Sequence, residues 1–353
     1  MESLPTFLDL KQQLSLSSTA YAFVQQSRDT IRTILNGTDP RILLIVGPCS
    51  IHDVISAKEY AARLKELSQA VSSEFFIAMR TYFEKPRTSS GWKGFLYDPF
   101  LDGSHQMYLG IQQSRQLLHE LAEMKIPTAT EFLDPMTAFY YDDLISWGSI
   151  GARTSSSQPH RQLASGLAMP IGFKNGVAGN ISAAVQGIMS ASMPQTYIGL
   201  NEQGRTTVIR SQGNPHCHLV LRGGELQPNY DPASVANALT SLENARLPQR
   251  LLIDCSHHNS GKQHDRQPAV FQSVIRQIME GNENIRGIML ESHLFGSNQS
   301  LSLNSCDLQY GVSITDSCLD WSSTQNLVLW AAKQLHRNSE LDNLEQSLRT
   351  ISQ

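Results

Sequence analysis

From residue 41 onward, short apolar runs alternate with longer stretches in which apolar residues recur every three or four positions. The short runs lie at 41–46, 75–80, 128–132, 149–153, 170–174, 218–222, 251–255 and 287–290. Most are rich in Ile, Leu, Val and Phe, which predicts short buried strands. The longer stretches predict helices: one capped by Asp53 and running through Leu67, then 106–124, 136–145, 159–167, 181–191, 231–245, 268–279 and a long one after Ser323. A further helix, 18–35, precedes the first strand, with Tyr21, Phe23, Val24, Ile31, Ile34 and Leu35 at helical spacing. Asn36-Gly37-Thr38 has the form of a glycosylation sequon but reads as the turn ending that helix.

Eight strand-then-helix units predict an α/β fold, a (β/α)8 or TIM barrel, with helix 18–35 as an extra element at its base. A doubly wound open sheet is the alternative; strand number and chain length favour the barrel. One segment breaks the alternation. Runs 196–200 and 206–210 flank Asn201-Glu202-Gln203-Gly204, a hairpin inserted at about 195–212, before the sixth strand. Residues 1–17 are polar and weakly patterned and read as an arm. The expected division is therefore an N-terminal arm and helix, 1–35, and a barrel domain, 36–353.

Composition narrows the function classes. The chain has 353 residues, 40% of them hydrophobic, enough for a sizeable core. A net charge of −4 argues against general nucleic-acid or membrane-surface binding, so any anion site is a local gathering of cations. Five widely spaced cysteines without a CxxC pair fit a reducing compartment, and the start shows no secretory signal. No apolar run reaches the length of a membrane span. The expected location is cytoplasmic.

In such a barrel, chemistry sits at the carboxyl ends of the strands. In order, those ends offer Cys49, Arg80, Glu131, Arg153, Lys174, Arg222, His257 and Glu291. Singly each is weak: a lone cysteine is usually a buried apolar residue, and a lone His or Glu is often a hydrogen-bonded core group. Jointly they sort into two sets. Strands seven, eight and one are neighbours in a closed barrel and bring His257, Glu291 and Cys49 together, with Asp316 from the following loop. Sulfur, nitrogen and oxygen donors suit one divalent transition metal (Mn, Fe, Co, Cu or Zn) better than Mg or Ca. His258 adjoins His257; alternation places only one inward, and His257 lies closer to the strand.

The second set is cationic. Strands two, four, five and six end in Arg80, Arg153, Lys174 and Arg222. The loop 80–94 adds Lys85, Arg87 and Lys93, with Pro86, Gly91 and Gly94 to shape it. A loop this polar is also what a solvated surface gives. Uncompensated buried charges are costly, so the set predicts a polyanionic ligand: a phosphorylated carboxylate and a second phosphate, with Glu131 in the same wall.

The motifs Gly47-Pro48-Cys49-Ser50-Ile51-His52-Asp53, Glu84-Lys85-Pro86-Arg87-Thr88, Gly91-Trp92-Lys93-Gly94, Gly151-Ala152-Arg153-Thr154, Gly172-Phe173-Lys174-Asn175-Gly176, Leu221-Arg222-Gly223-Gly224, Asp254-Cys255-Ser256-His257 and Asn298-Gln299-Ser300 resemble those of 3-deoxy-D-arabino-heptulosonate 7-phosphate (DAHP) synthase, type I, alpha subgroup. The likeness runs from about Arg28 to Trp330. It implies condensation of phosphoenolpyruvate with erythrose 4-phosphate, a divalent metal and a homo-oligomer, dimer or tetramer. It implies Cys49, His257, Glu291 and Asp316 as metal ligands. Arg80, Lys85, Arg153, Lys174 and Arg222 would hold phosphoenolpyruvate, and Lys85, Arg87 and Thr88 the erythrose phosphate. Lys85, His257 and Asp316 are the proton-transfer candidates.

Departures from the family pattern concern regulation. Arg153-Thr154-Ser155-Ser156-Ser157 lacks the family's Glu. The arm is shorter than in relatives whose arm helps form an inhibitor pocket. Ala138-Phe139 and Ala168 differ from the phenylalanine-sensitive version, whereas Met169-Pro170 and Tyr197-Ile198-Gly199-Leu200 resemble the tyrosine-sensitive one. An aromatic amino acid effector, tyrosine, is the expectation. Three other readings compete: a sibling synthase using another sugar phosphate, a Schiff-base aldolase using Lys174, and a catalytically silent phosphometabolite sensor.

Overall fold

The computed structural model describes residues 3–87, 91–301 and 307–351, with backbone alone for 339–351. Its strands are β1 (Ile42–Gly47), β2 (Phe75–Arg80), β3 (Thr128–Phe132), β4 (Trp147–Ile150), β5 (Ile171–Lys174), β6 (Gln195–Leu200), β7 (Thr206–Ser211), β8 (His218–Leu221), β9 (Leu251–Asp254) and β10 (Ile285–Glu291). Its helices are α1 (Phe7–Gln13), α2 (Ser18–Asn36), α3 (Val54–Ala70), α4 (Met107–Glu123), α5 (Gln158–Gly166), α6 (Ser182–Ala191), α7 (Pro232–Asn244), α8 (Gln267–Met279) and α9 (Trp321–Ile351). Eight strands close a parallel barrel in the order β1-β10-β9-β8-β5-β4-β3-β2, as the alternation predicts. The hairpin is present as antiparallel β6 and β7, outside the barrel.

Alternation within each strand divides the core in two. Leu43, Ile45, Ala78, Ala129, Trp147, Val220, Leu252 and Met289 face the interior. Leu44, Val46, Ile171, Leu219 and Ile253 face the surrounding helices. Ile31, Ile34 and Leu35 of α2 join the interior cluster, so α2 packs beneath the barrel. Buried Arg28 of α2 fixes it there by donating to the carbonyls of Ile145 (2.9 Å) and Asp142 (2.7 Å), just before β4. Gly37, at φ 83°, ends α2 with its N–H on the Ile34 and Thr33 carbonyls. Asp53 caps α3, its carboxylate accepting from the N–H groups of Ile55 and Ser56 at 3.0 Å each.

Three expectations are corrected. The 136–145 helix is instead a pair of 3₁₀ turns, Thr137–Tyr140 and Asp142–Leu144. Arg115 donates to the Tyr140 carbonyl and Arg28 to those of Asp142 and Ile145, so these guanidiniums take acceptors that an α-helical ladder would use. Within the arm, residues 7–13 form α1, with a capping box between Thr6 and Asp9. Phe7 packs edge-on to Tyr140 with ring centroids 4.7 Å apart, which gives so short a helix its stability. β4 also lies earlier than expected and ends at Ile150, leaving Arg153 in the turn beyond it.

Candidate active site

Period-2 alternation carries the interior face of each strand to its carboxyl end. Two residues beyond interior Ala78, Ala129, Gly172, Val220, Leu252 and Met289 stand Arg80, Glu131, Lys174, Arg222, Asp254 and Glu291. All six are buried. Above them opens a cavity of about 290 Å³, lined among others by Arg80, Lys85, Arg87, Arg153, Arg222, Lys262, Glu131, Asp316, His257 and His258. Lys174, Glu291 and Cys49 are buried and are not among its lining residues. Thr88 lies outside the described residues.

The expectation of uncompensated positive charge is corrected by the pairing. Arg80 Nη2 donates to Glu291 Oε1 at 3.0 Å. Lys174 Nζ donates to Glu131 Oε2 at 2.8 Å and lies 3.8 Å from Asp254 Oδ2. The Tyr82 ring lies under both cations, 4.0 Å from the Arg80 guanidinium carbon and 5.5 Å from Lys174 Nζ. Burial opposes the charge on Lys174, but Glu131, Tyr82 and Asp254 outweigh it and raise its pKa. Burial likewise opposes ionisation of Glu131 and Asp254, yet Lys174 and His257 help to hold both below the usual carboxylate range. A firmly protonated Lys174 cannot act as an amine nucleophile, which argues against the Schiff-base reading. Among the described residues Arg80 Nη1 has no hydrogen-bond partner, although the side chain is fully buried.

The cationic loop is held by its own backbone. The Lys85 N–H donates to the Lys93 carbonyl at 2.8 Å, and Arg87 Nε to the Trp92 carbonyl at 2.7 Å. Gly94, at φ 119°, lies against Phe83; a Cβ there would come within 2.1 Å of the Phe83 carbonyl oxygen. Lys85 thereby reaches inward, its Nζ 3.0 Å from Cys49 Sγ. Burial alone would suppress its charge, but Cys49, Asp316 and Glu291 raise its pKa.

Single ligand atoms of Cys49, Glu291 and Asp316 lie within 4.8 Å of one another, a possible metal site among the described residues. Burial, with Glu291 adding, pushes the Cys49 thiol up to about 12. Asp316 is exposed, though crowding by the site partly desolvates it; Lys85, His257, Lys262 and Arg87 hold its pKa down. One soft sulfur with two carboxylates fits a borderline divalent transition metal, whose charge would favour the thiolate. His257 is not part of that three-residue group. Its Nε2 lies 3.7 Å from Glu291 Oε1, while Nδ1 sits 3.0 Å from Asp254 Oδ2 and 2.7 Å from Ser256 Oγ.

Sequence reasoning missed three residues here. Asp254 was legible from alternation, since it stands two positions beyond interior Leu252. Lys262 lies too far beyond β9 for that signal. His258 was set aside on alternation, but both histidines line the cavity. His257 has φ 54°, a left-handed conformation that breaks the alternation. His258 Nδ1 lies 2.8 Å from Arg222 Nη1.

A family profile described as "DAHP synthetase I family" matches residues 13–328. The chain belongs to that family. It is accordingly an enzyme of the 3-deoxy-7-phosphoheptulonate synthase class. Among its relatives is "Phospho-2-dehydro-3-deoxyheptonate aldolase, Tyr-sensitive" of Salmonella typhimurium (strain LT2), 47% identical over 329 residues, covering 93% of this chain and 91% of that one. The "Trp-sensitive" protein of that name from Escherichia coli (strain K12) is 45% identical over 328 residues, covering 93% and 94%. The solved structure of phospho-2-dehydro-3-deoxyheptonate aldolase from Francisella tularensis SCHU S4 superposes with a TM-score of 0.91 at 41% identity, covering 94% of this chain and 98% of the other. Among the described residues no helix is long and apolar enough to cross a membrane.

Proposed function

We propose that the chain condenses phosphoenolpyruvate and water with D-erythrose 4-phosphate, releasing phosphate and 3-deoxy-D-arabino-heptulosonate 7-phosphate, the first step toward the aromatic amino acids. The observation that carries this reading is a cavity lined by six Lys and Arg side chains, one of which, Arg80, has a buried Nη1 with no hydrogen-bond partner among the described residues. A phosphorylated carboxylate would supply oxygens for this donor and for the other cations of the cavity.

Arg80, Arg153, Lys174 and Arg222 grip phosphoenolpyruvate, with Glu131 holding Lys174 in place. Lys85, Arg87 and Thr88 take the sugar phosphate. Holding both substrates in one cavity brings C3 of the enolpyruvate against the aldehyde carbon. Carbon–carbon bond formation leaves C2 electron-poor, water adds there, and cleavage of the C2–O bond expels phosphate. Lys85, His257 and Asp316 are the proton-transfer candidates, with Ser256 Oγ 2.7 Å and Asp254 Oδ2 3.0 Å from His257 Nδ1. Cys49, His257, Glu291 and Asp316 would hold a divalent transition metal, Mn, Fe, Co, Cu or Zn, which when bound supplies Lewis acidity toward the aldehyde oxygen.

The relatives named Tyr-sensitive at 46–47% identity support feedback inhibition, with tyrosine as effector. A homo-oligomer, dimer or tetramer, in the cytoplasm completes the reading. The deciding experiment is phosphate release from phosphoenolpyruvate plus erythrose 4-phosphate after chelation, with and without added Mn, in wild type and Cys49→Ala. Turnover that vanishes, returns with Mn and is absent in the variant is the expected result. Full activity of metal-free Cys49→Ala would refute the metal role. Tight phosphoenolpyruvate binding without turnover would favour another sugar phosphate or a sensor.

A further inference from the structure

Arg222 differs from the other buried cations of the cavity. Arg80 is paired with Glu291, and Lys174 with Glu131. Among the described residues Arg222 has no carboxylate ion pair; its guanidinium is directed to neutral acceptors. Nη1 lies 2.8 Å from His258 Nδ1 and, less closely, 3.5 Å from the Gly223 carbonyl oxygen. A guanidinium has donors only, so His258 Nδ1 accepts and the ring proton sits on Nε2. A neutral acceptor fixes the direction of a guanidinium and leaves its charge intact. A carboxylate in the same place would cancel much of the charge that an anionic substrate needs.

The backbone builds this contact. The left-handed turn at His257, φ 54°, brings the next side chain to the cavity wall beside Arg222. Asn259 ties the turn to both strands, its Nδ2 donating to the Asp254 carbonyl at 2.9 Å and the Leu221 carbonyl at 3.3 Å. Gly223, at φ 76°, lets the two segments meet; a Cβ there would lie 2.5 Å from the Asn259 nitrogen and 2.8 Å from the His258 Cβ.

We propose that His258 is a positioning residue that aims the Arg222 guanidinium at an anionic group of the phosphorylated carboxylate substrate. The proposal rests on the reading of Arg222 as a substrate cation given above. It separates binding from chemistry: loss of the acceptor weakens phosphoenolpyruvate binding and leaves the reacting atoms and the sugar-phosphate cations untouched.

The test uses the full-length, metal-loaded enzyme as wild type, Arg222→Lys, His258→Ala, His258→Leu and His258→Asn. Folding is checked by circular dichroism, phosphoenolpyruvate binding by calorimetry, and KM and kcat by phosphate release. Asn places an acceptor oxygen near the position of Nδ1, whereas Leu fills the space without one and carries the test if the alanine variant does not fold. The expected result is a roughly 10-fold rise in Kd and KM for phosphoenolpyruvate in His258→Ala and His258→Leu, the scale of one hydrogen bond to a charged group. kcat should stay within about twofold, and His258→Asn should restore most of the affinity. Unchanged binding in His258→Ala and His258→Leu, beside weakened Arg222→Lys, overturns the proposal alone. An asparagine variant as weak as the leucine one also overturns it, because ring shape and not the acceptor would then matter. Wild-type affinity in Arg222→Lys overturns the reading of Arg222 and the proposal with it.

Discussion

Replacing Lys174 with methionine keeps the length of the side chain and removes its charge. In the folded protein this leaves Glu131 without the ammonium that now lies 2.8 Å away, in a setting where both residues are buried. Asp254 loses less, because Lys174 is 3.8 Å away and His257 Nδ1 remains at 3.0 Å. Removing one partner of a buried pair costs about 3–5 kcal/mol. For a chain of 353 residues that is a fall of roughly 4–7 °C in Tm. Lys174 is the chief group holding the Glu131 pKa down, so in the variant Glu131 takes up a proton more readily. The deficit should therefore shrink on acidification, since a protonated Glu131 needs no counter-charge. Adding Glu131→Gln should recover most of the lost stability without recovering activity. The assay is thermal unfolding of the four proteins of the double-mutant cycle across the pH range in which wild type refolds. A Lys174→Met protein as stable as wild type, or one that Glu131→Gln does not rescue, would show that the pair is not the energetic unit described here.

Two further outcomes follow from the cationic loop. Glu84 is buried and accepts from the hydroxyls of Tyr97 and Tyr141 at 3.1 Å each and of Thr137 at 3.2 Å; burial, with Asp134 adding, nevertheless pushes its pKa from 4.5 up to about 7. Because the folded-state value is the higher one, its contribution to stability is full below pH ~4.5 and lost as pH rises through about 7, in all about 3 kcal/mol. Denaturant titrations should show Glu84→Gln flattening that part of the pH profile; an unchanged slope would assign it to another group. Gly94→Ala sets a Cβ 2.1 Å from the Phe83 carbonyl oxygen at a backbone angle disfavoured for alanine, and should cost roughly 2–4 kcal/mol while raising KM for both substrates. A variant that melts with wild type would mean that the loop moves aside without loss.

The barrel was legible because its cause is local. Eight doubly buried strands separated by helices have few ways to pack, and Asp53 and Gly37 mark helix ends by chemistry that acts over three or four residues. The same local period placed Arg80, Glu131, Lys174, Arg222 and Glu291 at the inner carboxyl ends, and it would have placed Asp254 with them. It failed where backbone conformation departs from the period. Nothing in the residue type signals a left-handed His257, so alternation alone turns His258 outward, whereas it lines the cavity in the structure. The 136–145 segment failed for a related reason: its apolar spacing suits a helix, but Arg28 and Arg115, distant in sequence, bind its carbonyls.

What the chain determined by itself is which side chains face inward at the top of the barrel, because a strand's alternation is a property of its own backbone. Which inward groups become partners was decided by the order of the strands in the assembled sheet. Arg80 on β2 and Glu291 on β10 are 211 residues apart, and they meet because both strands flank β1 in the closed sheet. Lys174 on β5 finds Glu131 on β3 across the intervening β4. Charge balance therefore emerges only when the strands assemble side by side, since Coulomb attraction depends on distance in space and falls off regardless of order along the chain.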